Sequence, residues 1–217
     1  MRKIILASKS PRRREILQMA GFTFDIIPAV GEEVATGDTP DEIVEQLALQ
    51  KAEEVFNIYL DRCTTPEEKE GFLVIGADTV VAVDGEILGK PKDKEDAYRM
   101  IQLIQGRVHQ VYTGFVFVFM QDGQMEVHIF NECTQVECYP MTEEEIWHYV
   151  NQGTLLHREE VRENEHENKH FDWEDKAGGY AIQNVFGKYI KGIKGDYYNV
   201  VGLPISRLYQ EIKNIDN

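Results

Sequence analysis

Cysteine is scarce in this chain of 217 residues: there are three, Cys63, Cys133 and Cys138, with no metal-ligand spacing around them. An odd, sparse set excludes a disulfide framework and suits a reducing cytoplasm, so the thiols read as packed or idle. Basic residues are also short, 23 Lys and Arg against 38 Asp and Glu, a net charge of −15. Such a surface repels phosphate backbones and anionic lipid, which argues against general nucleic-acid or membrane-surface binding. Long apolar runs are missing too. The longest uncharged one, residues 111–120, is roughly half of the ~20 residues a membrane helix needs, and its Val and Phe suit a strand. The apolar stretch after Met1-Arg2-Lys3 ends at Ala7, too short for a signal-peptide core. What is present is ordinary globular composition, with 42% hydrophobic, 28% charged and 10% aromatic residues. The length fits one good-sized domain, or two lobes sharing a sheet.

Short buried strands and helices alternate through the first half. Residues 3–7 read as a strand, followed by a helix with Ser10 as N-cap, Pro11 at its first position and Gly21 as its stop. Residues 22–28 alternate as a second strand. A helix from about Asp41 carries Ile43, Val44, Leu47, Ala48, Val55 and Phe56 on one side, with Lys51 embedded in it. Residues 61–71 read as a surface loop, and 72–77 as a strand ending at Asp78-Thr79. Asp84-Gly85 is a hairpin turn between flanking strands, a helix spans about 93–105, and two long strands meet at 121–124. Thr142-Glu143-Glu144-Glu145 is a capping box that opens another helix. A strand near 189–193 and a closing helix over about 204–213 end the chain. With an antiparallel meander between alternating elements, the fold class is α/β, in its mixed α+β form.

Several places have the composition of a chemical site. At residues 8–13 a strand feeds a helix N-terminus, where unpaired N–H groups and the positive dipole end form an anion site. Ser8, Ser10, Arg12 and Arg13 add hydroxyl donors and guanidinium forks suited to phosphate. Asp78 follows a buried strand, where ligands of open α/β sheets gather. An acid there can activate water or hold a metal, and Glu32-Glu33, which also follows a strand, could supply a second carboxylate for a hard cation. Residues 85–91 have one residue too few between the glycines for a P-loop, and Pro91 where Ser or Thr belongs. Lys90 can still face a phosphate, and Lys51, on a largely apolar helix, either snorkels or points at an anion. His166-Glu167-Asn168-Lys169-His170 matches H-E-x-x-H, but its flanks lack an apolar helical face, so it reads as coincidence in a charged loop.

Taken together, Leu6-Ala7-Ser8-Lys9-Ser10-Pro11-Arg12-Arg13, Gly76-Ala77-Asp78-Thr79, Gly89-Lys90-Pro91, residues 109–114, residues 175–183 and Val201-Gly202-Leu203-Pro204 fall in the order seen in the Maf family. The chain resembles that family, a group of nucleoside triphosphate pyrophosphatases named for a link to septum formation. The resemblance implies a Maf/ITPase-like fold with a central mixed, twisted sheet flanked by helices, in two lobes with the active site in the cleft between them. It implies hydrolysis between the α and β phosphates, with a divalent cation, Mg²⁺ or Mn²⁺. By the same resemblance Asp78 is the proton acceptor, and Ser8, Ser10, Arg13, Lys51 and Lys90 hold phosphate. Glu33 and Asp78 would serve the metal, and Arg12, Thr79 and Gln183 base choice in the dTTP and UTP subgroup. A homodimer is expected on this ground alone.

One departure from the family is an acidic connection, 157–174, inside what is otherwise a single domain over residues 1–217. From Arg158 to Asp175 it has eight acidic and three basic residues; a lid or a dimer contact is open to it, and its polar composition favours a passive surface loop. Alternatives to dTTP and UTP are 7-methyl-GTP or CTP with the same chemistry, or a nucleotide-binding regulator of cell division that does not turn over. The first four basic candidates, Arg12, Arg13, Lys51 and Lys90, would form a local island for a tetra-anionic substrate in an otherwise acidic chain. Phosphoanhydride cleavage asks mainly for positioning and charge neutralisation, so Ser8 reads as a ligand and not as a nucleophile.

Overall fold

The computed structural model describes residues 2–152 and 171–215. Runs of apolar residues become strands β1 (Lys3–Leu6), β2 (Phe24–Ile26), β3 (Phe72–Val83), β4 (Glu86–Leu88), β5 (Val108–Gln121), β6 (Gln124–Cys138) and β7 (Ile190–Lys194). Stretches with helical apolar spacing become α1 (Pro11–Met19), α2 (Pro40–Leu60), α4 (Lys94–Ile104), α5 (Glu143–Asn151) and α7 (Ile205–Ile215), joined by two short helices, α3 (Pro66–Glu70) and α6 (Tyr197–Val201). The strands form one sheet in the order β2-β1-β3-β5-β6-β7, with β4 on β3. β1 runs parallel to both β2 and β3, whereas β3–β4 and β6–β7 are antiparallel, so the sheet is mixed. Both two-residue hairpin turns have Asp-Gly with positive φ at each position (Asp84 49°, Gly85 82°; Asp122 52°, Gly123 75°), which matches the twist of the flanking strands.

The chain divides into two compact units, one of residues Met1–Thr79, Val111–Thr134 and Gly195–Asn217, the other of Val80–Gln110 and Gln135–Lys194. In the first, α2 lays Ala48, Ala52, Val55 and Phe56 against Ile5, Val74, Val116 and Val118 of the sheet, all essentially inaccessible to water. Two glycines let the helix backbone approach closely. A Cβ on Gly76 would stand 2.2 Å from the Ala48 carbonyl oxygen, and one on Gly114 2.5 Å from that of Val44. In the second unit Tyr149, Tyr180 and Phe186 form the aromatic centre. There Tyr149 Oη donates to the Gly179 carbonyl (3.0 Å), and Trp173 Nε1 to that of Val150 (3.0 Å). Among the described residues no helix is long and apolar enough to cross a membrane.

Three expectations are corrected. Residues 61–71 are not all loop: Thr65 and Glu68 form a reciprocal capping box around Pro66, which nucleates α3. The second strand shrinks to three residues, β2, because only Phe24, Asp25 and Ile26 find partners on β1. Asp78 and Thr79 lie inside β3, not past its end. The physical reason is a change of partner: pairing with β1 stops at Leu6–Ile75, and pairing with β4 begins at Val81–Leu88. The two residues occupy the gap, beyond the carboxyl end of β1. Most of the acidic connection, 157–170, lies outside the described residues, and with it the H-E-x-x-H match.

Candidate active site

Where β1 ends, its ladder gives one last bond, Ala7 N to the Ile75 carbonyl (2.8 Å), and the chain turns into α1. Ser10 stands at the N-cap with Pro11 behind it, yet the Ser10 side chain makes no capping bond, contrary to expectation. Instead the Ser10 amide donates to Ser8 Oγ (3.2 Å). No acidic side chain occupies the first turn, so the positive end of α1 has no internal counter-charge.

Of the three consecutive arginines, Arg14 is exposed and Arg12 half-buried, while Arg13 turns inward and is only 9% exposed. Its guanidinium donates through Nε to the Gly202 carbonyl (2.8 Å), through Nη1 to Ser8 Oγ (3.3 Å) and through Nη2 to Thr79 Oγ1 (3.1 Å). Burial pulls its pKa down, Asp78 and Glu33 counteract that pull, and Arg12 adds to it. Guanidinium starts so high that it stays charged. The result is a fixed, desolvated cation with two of its five N–H groups left over.

Asp78 is displayed on the other face of β3 from Thr79, because successive strand residues alternate. That face meets α2. Lys51 sits one turn beyond Ala48, the residue against which Gly76 packs, and its Nζ lies 2.5 Å from Asp78 Oδ1 and 3.2 Å from Glu33 Oε1. The Lys51 and Asp78 side chains are 12% and 15% exposed, Glu33 51%. Two carboxylates therefore converge on one ammonium, and their oxygens are donors of the kind that hard cations take. No group of three or more metal-ligating side chains exists among the described residues. A pair of carboxylates matches Mg²⁺-type sites that draw their remaining ligands from water and substrate phosphates.

Glu33 belongs to no helix or strand, and a ladder of α2 side chains brings it to Lys51. Glu42, Gln46, Gln50 and Glu54, spaced four apart on one helix face, accept backbone N–H groups of the preceding strap. Glu54 takes Val30 N (2.8 Å) and Gly31 N (3.1 Å), and Gln50 takes Val34 N (3.1 Å). Gln46 takes Thr36 N (2.9 Å) and Gly37 N (3.2 Å), and Glu42 takes Asp38 N (3.0 Å) and Thr39 N (3.2 Å). Glu33 is thus clamped on both sides.

In the first unit Ser8, Arg13 and Thr79 are joined by hydrogen bonds and Glu33, Lys51 and Asp78 by ion pairs, two groups that meet in sequence at the neighbours Asp78 and Thr79 of β3. Lys90 and Gln183 belong to the second. Lys90 is exposed in the short link between β4 and α4, and Gln183 is exposed in a turn after a 3-10 turn at Ala177–Gly179. The Gly178 amide donates to the Gly89 carbonyl (3.0 Å), and a Cβ there would strike Val81, so the two segments lie side by side. Residues the sequence did not single out are Thr113, Asn199 and Gly202, which hold the others in place. Thr113 and Gly202 lay within quoted motifs, with no chemistry of their own to mark them. Asn199 carried no signal at all. All three cysteines are free thiols.

The family model described as Maf-like protein matches residues 3–215. A protein of Agathobacter rectalis named dTTP/UTP pyrophosphatase is 47% identical over 222 residues, covering 99% of this chain and 98% of its own. Proteins of the same name from Bacillus anthracis and Lachnoclostridium phytofermentans are 43% and 38% identical, covering 100% and 98% of this chain and 98% and 95% of theirs. Among solved structures, the Ham1 protein of Staphylococcus aureus aligns over 87% of this chain and 91% of its own, at 15% identity and a TM-score of 0.40, too low to argue from.

Proposed function

The chain belongs to the Maf family, and from that premise we propose that it hydrolyses the α–β phosphoanhydride of dTTP and UTP, releasing the nucleoside monophosphate and pyrophosphate. The observation that carries the reading is the convergence of Asp78, Lys51 and Glu33 beside the buried Arg13, which combines a base with charge for a polyphosphate. In this reading Asp78 accepts the proton of the attacking water as its oxygen bonds to phosphorus, and the pyrophosphate oxygen leaves. Ser8, Arg13 and Lys51 hold the phosphates, with Lys90 as a further contact and Ser10 at the helix N-terminus. Arg12, Thr79 and Gln183 are proposed to read the base. Phosphoryl chemistry of this kind depends on positioning and on neutralising charge, which a preorganised, desolvated arginine supplies without reorganising.

Glu33 and Asp78 are the residues that would hold Mg²⁺ or Mn²⁺. Such an ion supplies neutralisation of phosphate charge and orientation of water. The reading is tested by pyrophosphate release from a panel of nucleoside and deoxynucleoside triphosphates with either metal. Release from dTTP and UTP is expected, and Asp78→Asn should fold, bind nucleotide and lose about a hundredfold or more in turnover, the scale of a missing general base. Near-normal turnover in a folded Asp78→Asn protein removes Asp78 from that role. Release favouring another nucleotide keeps the chemistry and discards the base assignment.

A further inference from the structure

The buried hydroxyls around Arg13 each have a single hydrogen, and following where those hydrogens go fixes the direction of every bond. Asn199 is fully buried, and its side-chain amide gives both hydrogens away, to the Val111 carbonyl (2.9 Å) and to Thr134 Oγ1 (3.0 Å). The Val111 carbonyl sets this orientation, since the flipped amide would place two oxygens face to face. Thr113, also fully buried, donates its one hydrogen to the Asn199 backbone carbonyl (2.9 Å). Thr113 Oγ1 lies 2.9 Å from Thr79 Oγ1. With its hydrogen committed, Thr113 accepts in that bond and Thr79 donates. The Thr79 oxygen in turn accepts from Arg13 Nη2 (3.1 Å). Thr79 is therefore left with one lone pair and no hydrogen.

Ser8 has the opposite balance. Its oxygen accepts from the Ser10 amide (3.2 Å) and from Arg13 Nη1 (3.3 Å), so both lone pairs are used and only its hydrogen is left. One arginine is flanked by a hydroxyl that can only donate outward and another that can only accept.

We propose that Thr113, held by Asn199, is a specificity-determining positioning residue: it locks Thr79 as an acceptor for a hydrogen-bond donor of the nucleoside, while Ser8 donates to phosphate. The inference rests on reading this site as a nucleotide site. A uridine nucleotide offers the imide N3–H of its base and the hydroxyls of its sugar. The 2′-hydroxyl is set aside because the same site is read as taking dTTP, which leaves the imide and the 3′-hydroxyl. Cytosine carries a lone pair at N3, which Thr79 in this state would repel.

The test compares UTP, N3-methyl-UTP and 3′-deoxy-UTP on the full chain, by calorimetric affinity and by kcat/KM. Wild type is expected to lose roughly tenfold on one of the two analogues, the scale of one neutral hydrogen bond, and the affected analogue tells base from sugar. Thr113→Val takes away the acceptor of Thr79 and frees its hydrogen, so the ratio between UTP and that analogue should collapse towards unity. Thr113→Ser should restore it. A merely structural role would weaken all three nucleotides alike and leave the ratio unmoved, which overturns the proposal. Equal treatment of all three by wild type overturns it as well, and needs no variant. If Thr113→Val does not fold, Thr79→Val takes its place, with the same collapse expected. Binding without hydrolysis would defeat the pyrophosphatase reading alone, because the affinity ratio still reports on the relay.

Discussion

Arg13 shows what a single side chain must satisfy here. Three of its donors are spent on Gly202, Ser8 and Thr79, and it is that triple anchor which lets a charge sit 9% exposed. Arg13→Lys keeps the charge but not the planar fork, so buried acceptors lose their partner. A loss of about 1–3 kcal/mol in stability is expected, together with a fall in kcat/KM, read by denaturant titration and pyrophosphate release. His109 is a second residue with a measurable signature. It is 1% exposed, with Nε2 2.7 Å from Tyr180 Oη, and burial pulls its pKa down to about 4. An unfolded histidine takes up a proton near pH 6.5, which the folded one refuses until about 4. Stability is therefore full above about pH 6.5 and declines as pH falls through that window, by on the order of 3 kcal/mol in all. Unfolding free energies measured at pH 7 and pH 4.5 should differ accordingly, and the His109→Gln variant should show a flatter dependence.

At the scale of elements, the ladder between α2 and the strap decides where Glu33 stands. Replacing Gln50 and Glu54 together by Ala removes the grips on either side of it. These are surface groups, so the melting temperature should move by only a few degrees, while the rate falls and the divalent-ion concentration for half-maximal rate rises. An unchanged ion requirement would detach Glu33 from the site. Much of this scale was legible beforehand. Asp84-Gly85, Thr142 with Glu145, and the apolar face of α2 each spelled their element, because turn chemistry, capping and periodicity are local. The ladder was not legible: Glu42, Gln46, Gln50 and Glu54 look like any solvated helix face until the strap is laid along it. The relay through Thr113 and Asn199 was hidden for the same reason, since its partners are 86 residues apart. The placement of Asp78 at a strand end was nearly legible. Asp78 lies beyond the end of a parallel strand, but that strand is β1, and its own continues.

For the whole molecule, the decisive fact is that neither unit is a continuous stretch of chain. β3 crosses from one to the other at Thr79, and the first unit is completed only by Gly195–Asn217. That last segment supplies Gly202 and Asn199 to the polar cluster, and Leu208 and Ile212 to the core. A chain ending at Lys194 is expected to lose nucleotide hydrolysis and the protease resistance of its first unit, which limited proteolysis would detect. During synthesis, at roughly 5–20 residues per second, Arg13 leaves the ribosome early and waits for an acceptor made 189 residues later. A chain broken off before Gly202 leaves Arg13 Nε without its acceptor while Ser8 and Thr79 still hold the other two donors, so activity against the cell's own triphosphates is expected to appear only once this segment has been made.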